Sequence, residues 1–165
     1  MSSIASFYLL KTSKLQELSQ HAEIIVKKGL FSKKVTDTYN DYLANNATEL
    51  ASNQSGGYLY ATLLVFLQEE KNIDLLTNEH DAIAGELVVK RGVTHFIFTR
   101  QQRDAHLRQL EPSLYSLSEL QQFNQDFSED GDEETAALSL DAIKVLHDNL
   151  KQLGQDDEVL LLIVG

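Results

Sequence analysis

Ser55-Gly56-Gly57-Tyr58-Leu59-Tyr60-Ala61-Thr62-Leu63-Leu64-Val65-Phe66-Leu67-Gln68-Glu69-Glu70 holds a single polar residue, Thr62, between Tyr58 and Leu67. A run this apolar is buried on most sides. It is too short to cross a bilayer, which takes about 20 apolar residues. The expectation is a central core helix, with Ser55 as N-cap and Glu69-Glu70-Lys71 marking the return to solvent. The competing reading is a buried strand, because Val65, Phe66 and the tyrosines also suit strands.

On the N-terminal side, Ile4 to Leu10 reads as a first strand, apolar enough to be central. Ser13 and Gln16 have capping-box spacing. They are expected to open a helix whose stripe is Leu15, Leu18, Ala22, Ile25 and Val26, with Lys27 and Lys28 at its negative end and Gly29 after it. Ser32 is expected to cap a second helix carrying Val35, Tyr39, Tyr42, Leu43, Ala47 and Leu50 at helical spacing. Ser52 to Gly57 is a loop.

On the C-terminal side, a short helix is expected over 78–87, and Lys90-Arg91-Gly92 is a turn. Val93-Thr94-His95-Phe96-Ile97-Phe98 is the clearest strand, rich in β-branched and aromatic residues. Thr99 with Gln102, and Ser116 with Glu119, have capping-box spacing and open two further helices. The first must end before Pro112. The second carries Leu117, Leu120, Phe123 and Phe127 on one side. Ser128 to Glu134 is an acidic loop. Glu133 to Leu153 is an amphipathic helix with Ala136, Leu140, Ile143, Leu146, Leu150 and Leu153 inward. Glu158 to Val164 is a strand that is apolar without alternation, so both its faces should be covered. The fold class that follows is α+β: one helix-rich domain over residues 1–165, with a small sheet from short strands near 4–10, 93–98 and 158–164.

Composition narrows the chemistry. Among 165 residues there is no cysteine, which removes disulfides, thiol nucleophiles and thiolate metal sites. The N-terminus lacks the basic and apolar regions of a signal peptide, so the expected location is cytoplasmic, with no membrane association. The net charge is -11, unevenly spread. Residues 1–34 carry six lysines against Glu17 and Glu23, whereas residues 111–165 carry two lysines against thirteen acids. Such an acidic third repels phosphates and argues against nucleic acid. It suits a basic protein partner.

No motif names a reaction. From Asp126 the loop runs Asp126-x-Ser128-x-Asp130-Gly131-Asp132-x-Glu134, close to a calcium-binding loop, but Ala137 stands where the bidentate glutamate is needed. No metal site and no cofactor are expected. The histidines have no ligand spacing. His95 sits in a strand and reads as a structural histidine, or as an acid–base group if it faces a cleft. Arg100 and Arg103 follow that strand near a helix start. Tyr39, Tyr42, Tyr58 and Tyr60 fit either an interface or the edge of the core.

The strand–helix opening, the apolar middle, the Leu114-Tyr115-Ser116-Leu117-Ser118-Glu119-Leu120 segment, and above all the helix and strand from Asp141 to Gly165 resemble the YfbM-like family of small uncharacterised bacterial cytosolic proteins. That resemblance implies an α+β fold and a bacterial source. It transfers no catalytic residues. The function expected from the residues is therefore a non-enzymatic protein-binding module. It would neutralise a basic partner as an immunity protein does, through Glu129, Asp130, Asp132, Glu133 and Glu134. The alternative is a small-ligand protein or enzyme with a site around His95, Arg100 and Arg103. A third is assembly through an exposed strand edge or aromatic patch.

Overall fold

Residues 158–164 fold where the sequence places them, and the rest of the sheet forms around them. The computed structural model describes residues 3–28 and 33–165. In chain order the elements are strand β1 (Ala5–Lys11), helix α1 (Leu15–His21), strands β2 (Ile25–Lys28) and β3 (Lys33–Thr36), helix α2 (Tyr39–Asn46), strand β4 (Ala47–Glu49), helices α3 (Leu59–Lys71) and α4 (Asp81–Arg91), strand β5 (Thr94–Thr99), helices α5 (Arg100–His106), α6 (Leu117–Ser128) and α7 (Glu133–Leu150), and strand β6 (Glu158–Val164). Short 3₁₀ turns occupy Thr12–Lys14, Leu107–Leu110 and Pro112–Leu114.

The main sheet has the order β4-β1-β6-β5 and is antiparallel throughout. β6 lies between β1 and β5, with Leu161 opposite both Tyr8 and Ile97. Its apolar run now has a cause. Val159 and Leu161 enter one core with Leu15 and Leu18 of α1, Tyr39, Tyr42 and Leu43 of α2, and Leu87 of α4. Leu160 and Leu162 enter the other with Tyr60, Leu64 and Leu67 of α3, Leu120 of α6, and Ile143 and Leu146 of α7. A strand buried on both faces has no polar face to show. Leu59–Leu67 is helical, with Tyr58 at the N-cap, so the strand reading of that run is excluded. Among the described residues, no helix is long and apolar enough to cross a membrane.

Both capping boxes form as expected. Thr99 Oγ1 accepts from the Gln102 N–H and Gln102 Oε1 from the Thr99 N–H; Ser116 and Glu119 repeat the pattern. Asn124 is buried on α6 and its amide donates to Ser139 Oγ of α7 at 3.2 Å.

Several boundaries are corrected. No side-chain cap opens the first helix, so the Ser13–Gln16 box does not form, and α1 ends at His21. The β-branched run Ile24-Ile25-Val26 instead enters an antiparallel ribbon with β3. The second helix is only Tyr39–Asn46. Asp37 accepts from the Tyr39 N–H at its start, and Ala47–Glu49 leaves it to pair with β1. Gly29 and Ser32, expected to cap these helices, lie outside the described residues. Ser55 does not cap α3; Asn53 Oδ1 gathers the Ser55 and Gly56 N–H groups in the loop before it. α4 runs on through Lys90 and Arg91 and stops at Gly92, which takes a left-handed φ of 69°. α7 stops at Leu150, three residues early.

Candidate protein-docking face

α6 packs across α3 and α7, and its outer side carries a strip of aromatic rings. Phe123 meets Phe66 of α3 edge to face at 5.1 Å, and Phe127, one turn further, stacks on Phe123 at 5.4 Å. Phe66 and Phe123 hold the strip to the core, but Phe127 runs past the cover of α3 and is 52% exposed. A depression of about 250 Å³ opens beside the rings, lined by Phe66, Glu70, Lys71, Glu119, Gln122, Phe123 and Asp126. Lys71 at its base donates to Glu119 at 2.7 Å and stands 5.6 Å above the rings of Phe66 and Tyr115. Burial alone would raise the Glu119 carboxyl. The hydrogen bonds from Lys71 and from the Ser116 N–H outweigh it and hold Glu119 below its ordinary value. Among the described residues, no lysine or arginine lies within ion-pair distance of Glu70, Asp126 or Glu129.

The predicted acids divide by what they do. Asp132 is the N-cap of α7 and accepts from the Glu134 N–H at 2.9 Å. Glu133 and Glu134 sit in the first turn, where the helix dipole favours negative charge. Asp130 accepts from Thr135 Oγ1 at 3.2 Å. Glu129 ends α6 with a left-handed φ of 59°, two residues after Phe127, and its side chain is exposed. The first four therefore serve the start of α7. Sequence reasoning missed Asp126 and Glu70 as partners of the strip, and it put Phe127 on one side of the helix with Leu117, Leu120 and Phe123 without separating it from them. The signal present was the pairing of Phe123 and Phe127 one turn apart beside Asp126.

The three residues of the alternative site do not converge. His95 is the second residue of β5, whose last, Thr99, lies about 13 Å along the strand, and Arg100 comes after it. His95 is 3% exposed. Its Nδ1–H donates to the Val93 carbonyl at 2.8 Å, so in the neutral ring Nε2 accepts from the Tyr39 hydroxyl, also at 2.8 Å. Burial lowers its pKa. The Tyr39 ring lies under Arg91, which pairs with Asp37 at 2.9 Å. Arg103 is committed elsewhere: Nε and one terminal nitrogen donate to the Leu153 carbonyl beyond α7, at 3.0 and 2.8 Å. Arg100 borders a cleft of about 410 Å³, lined also by Thr12, His80, Thr99, Asp104 and Glu158, whereas His95 borders a separate depression of about 290 Å³ with Leu75, Asp81 and Phe96. The Arg100 guanidinium reaches Asp156 at 2.9 Å, and its buried Nε lies 3.4 Å from Asp104, an ion pair without hydrogen-bond geometry. Tyr39, Tyr42 and Tyr60 are core residues, and Tyr58 is exposed.

Comparison of the chain with family models, curated proteins and solved structures gives no match.

Proposed function

We propose that this chain is a non-enzymatic protein-binding module whose α3–α6 face takes a basic partner, as an immunity protein takes its toxin. The observation that carries this is Phe127: a half-exposed aromatic ring stacked on an anchored one, beside carboxylates with no cation of their own. Aromatic side chains in desolvated positions supply most of the energy of an interface, and a charged rim supplies steering. Glu129 and Asp126 carry the charge of the face, and Asp130, Asp132, Glu133 and Glu134 add a negative field behind them.

The test is capture from the native host's lysate at low salt and at about 1 M salt, where charge is screened within about 3 Å. The expected result is a basic protein held at low salt and released at high salt. It should be lost from Phe127→Ala and from the double variant Asp126→Lys/Glu129→Lys. Phe127→Ala should change stability by no more than about 0.5 kcal/mol, as a surface change does. Retention of the same partner by both variants overturns the assignment of the face.

A second reading, a small polar ligand in the cleft at the end of β5, is favoured by Arg100, whose buried Nε–H makes no hydrogen bond among the described residues although Asp104 lies 3.4 Å away. A ligand oxygen there would complete that donor. A thermal-shift screen of metabolites against the native chain and Arg100→Ala tests it; a stabilising compound must lose its effect in the variant.

A further inference from the structure

β2 and β3 form a two-stranded ribbon that belongs to neither core. All eight residues are exposed, and neither strand joins the main sheet. Such a ribbon standing alone is marginal in water. This one is also loaded with like charge. Lys27 faces Lys34 across the strands, and Lys28 faces Lys33. Like charges directly opposite one another destabilise a strand pair. Because side chains alternate, each face of the ribbon carries one lysine pair. Val26 and Val35 face each other beside the Lys28–Lys33 pair, with Val35 53% exposed. Among the described residues, none of these four lysines is within ion-pair distance of a carboxylate. On that face the ribbon presents an apolar pair next to a cation pair whose repulsion an acidic occupant would relieve.

The α3–α6 groove has the reverse charge: Phe66 and Phe123 line it with Glu70, Glu119 and Asp126, its one lysine, Lys71, is paired to Glu119, and Phe127 stacks on Phe123. The ribbon is joined to elements on the opposite face of the main sheet from the groove of its own chain. It hangs between α1 and α2, which cover one face of the main sheet, while α3 and α6 cover the other. We propose that the basic ribbon of one copy docks in the acid-rimmed aromatic groove of a second copy of this chain. This rests on the reading of that groove as a protein-docking face and names its partner. The contact joins two different patches, so it is head to tail and leaves a free ribbon and a free groove at the ends. The net charge of -11 opposes the approach of two copies at long range. At about 0.15 M salt that repulsion is screened beyond about 8 Å, while the facing patches meet well inside that distance.

Sedimentation velocity at that salt tests the proposal. The native chain is expected to rise above its monomer mass of 18.6 kDa with concentration. Lys28→Glu/Lys33→Glu, which reverses the lysine pair on the Val26–Val35 face, and Asp126→Lys/Glu129→Lys, which reverses charge beside the groove, should each weaken association about tenfold or more. Mixed in equal amounts, the two variants should form heterodimers, because the native ribbon of one still meets the native groove of the other and the reversed ribbon matches the reversed groove. Circular dichroism confirms that each is folded, and Lys28→Gln/Lys33→Gln gives an intermediate loss without reversing charge. A native chain that stays at the monomer mass, variants that assemble as the native chain does, or a mixture that stays monomeric overturns the proposal. A monomeric native chain that still captures a basic protein through the groove, lost with Asp126→Lys/Glu129→Lys, overturns only self-docking and leaves the docking face standing.

Discussion

Replacing Tyr39 by phenylalanine removes one hydroxyl, leaves the ring in place beneath Arg91, and isolates a buried polar couple. In the native chain that hydroxyl donates to His95 Nε2 at 2.8 Å, with both residues 3% exposed. The Nδ1–H is already given to the Val93 carbonyl. Without Tyr39 the lone pair on Nε2 faces the core with no donor. Leaving a buried acceptor unsatisfied costs about 1–3 kcal/mol. For a chain of this size each kcal/mol is roughly 2–4 °C in Tm, so Tyr39→Phe should melt about 2–12 °C lower. Urea unfolding should show a lower midpoint with an unchanged slope, since the surface exposed on unfolding is the same.

The same couple sets a pH dependence whose sign is fixed. Burial lowers the pKa of His95 below its ordinary 6.5, so just below that pH the unfolded chain binds a proton that the folded chain refuses. Stability from this group is complete above 6.5 and is lost as pH falls from there toward the folded-state pKa, with a slope of at most about 1.36 kcal/mol per pH unit. The double variant Tyr39→Phe/His95→Leu removes both polar partners together. It should cost less than the sum of the single changes and should flatten this part of the pH profile. Urea titrations from about pH 5 to about pH 8 measure both effects. A Tyr39→Phe loss under about 0.5 kcal/mol, strict additivity in the cycle, or a double variant with the native slope below 6.5 would each refute the couple as described.

Two further predictions concern packing. A Cβ at Gly57 would stand 2.6 Å from the Ser3 carbonyl oxygen and 2.8 Å from the Ile4 carbonyl carbon. Backbone cannot swing aside as a long side chain can, so Gly57→Ala should lose about 1–3 kcal/mol in urea unfolding, whereas Gly85→Ala, which meets no atom within 4 Å, should not lose stability. Leu161→Ala and Leu162→Ala open cavities in the two separate cores and should each cost about 2–5 kcal/mol. The pair should cost nearly the sum in calorimetry if the sheet keeps the cavities apart.

Where each residue had one dominant constraint, the sequence could be read directly. Glu158–Val164 is apolar at every position after the first because two cores close on it, and that condition is written into the residues themselves. The capping boxes at Thr99 and Ser116 are equally local: hydroxyl, spacing and glutamine or glutamate suffice. Ser13 and Gln16 have the same spacing and form no box, because the chain leaves β1 through a 3₁₀ turn that sets the helix start at Leu15. The stripe Leu15, Leu18, Ala22, Ile25 and Val26 misled for a related reason. Its first three members are core and its last two are ribbon, and helical periodicity alone cannot reveal that a chain turns back between them.

The docking face was harder because its two ingredients are defined by neighbours distant in sequence. In the sequence the acids from Glu129 to Glu134 form one block. In the structure the growing end of α7 takes up the capping and dipole capacity of Asp132, Glu133 and Glu134, and Thr135 takes one oxygen of Asp130. What remains open to a partner lies on the α6 side, at Asp126 and Glu129. Likewise Phe123 and Phe127 share a helix face, so any periodicity argument buries both. Only the end of α3 separates them: it supplies Phe66 under Phe123 and nothing under Phe127. Burial of Asn124, tied to Ser139, turns α6 so that this aromatic edge points outward. A buried asparagine and an exposed phenylalanine three residues apart run against the hydrophobic ordering of the fold. The hydrogen bond to Ser139 offsets the cost of burying the asparagine, whereas the exposed phenylalanine is stacked on Phe123 and still leaves half of its surface in water.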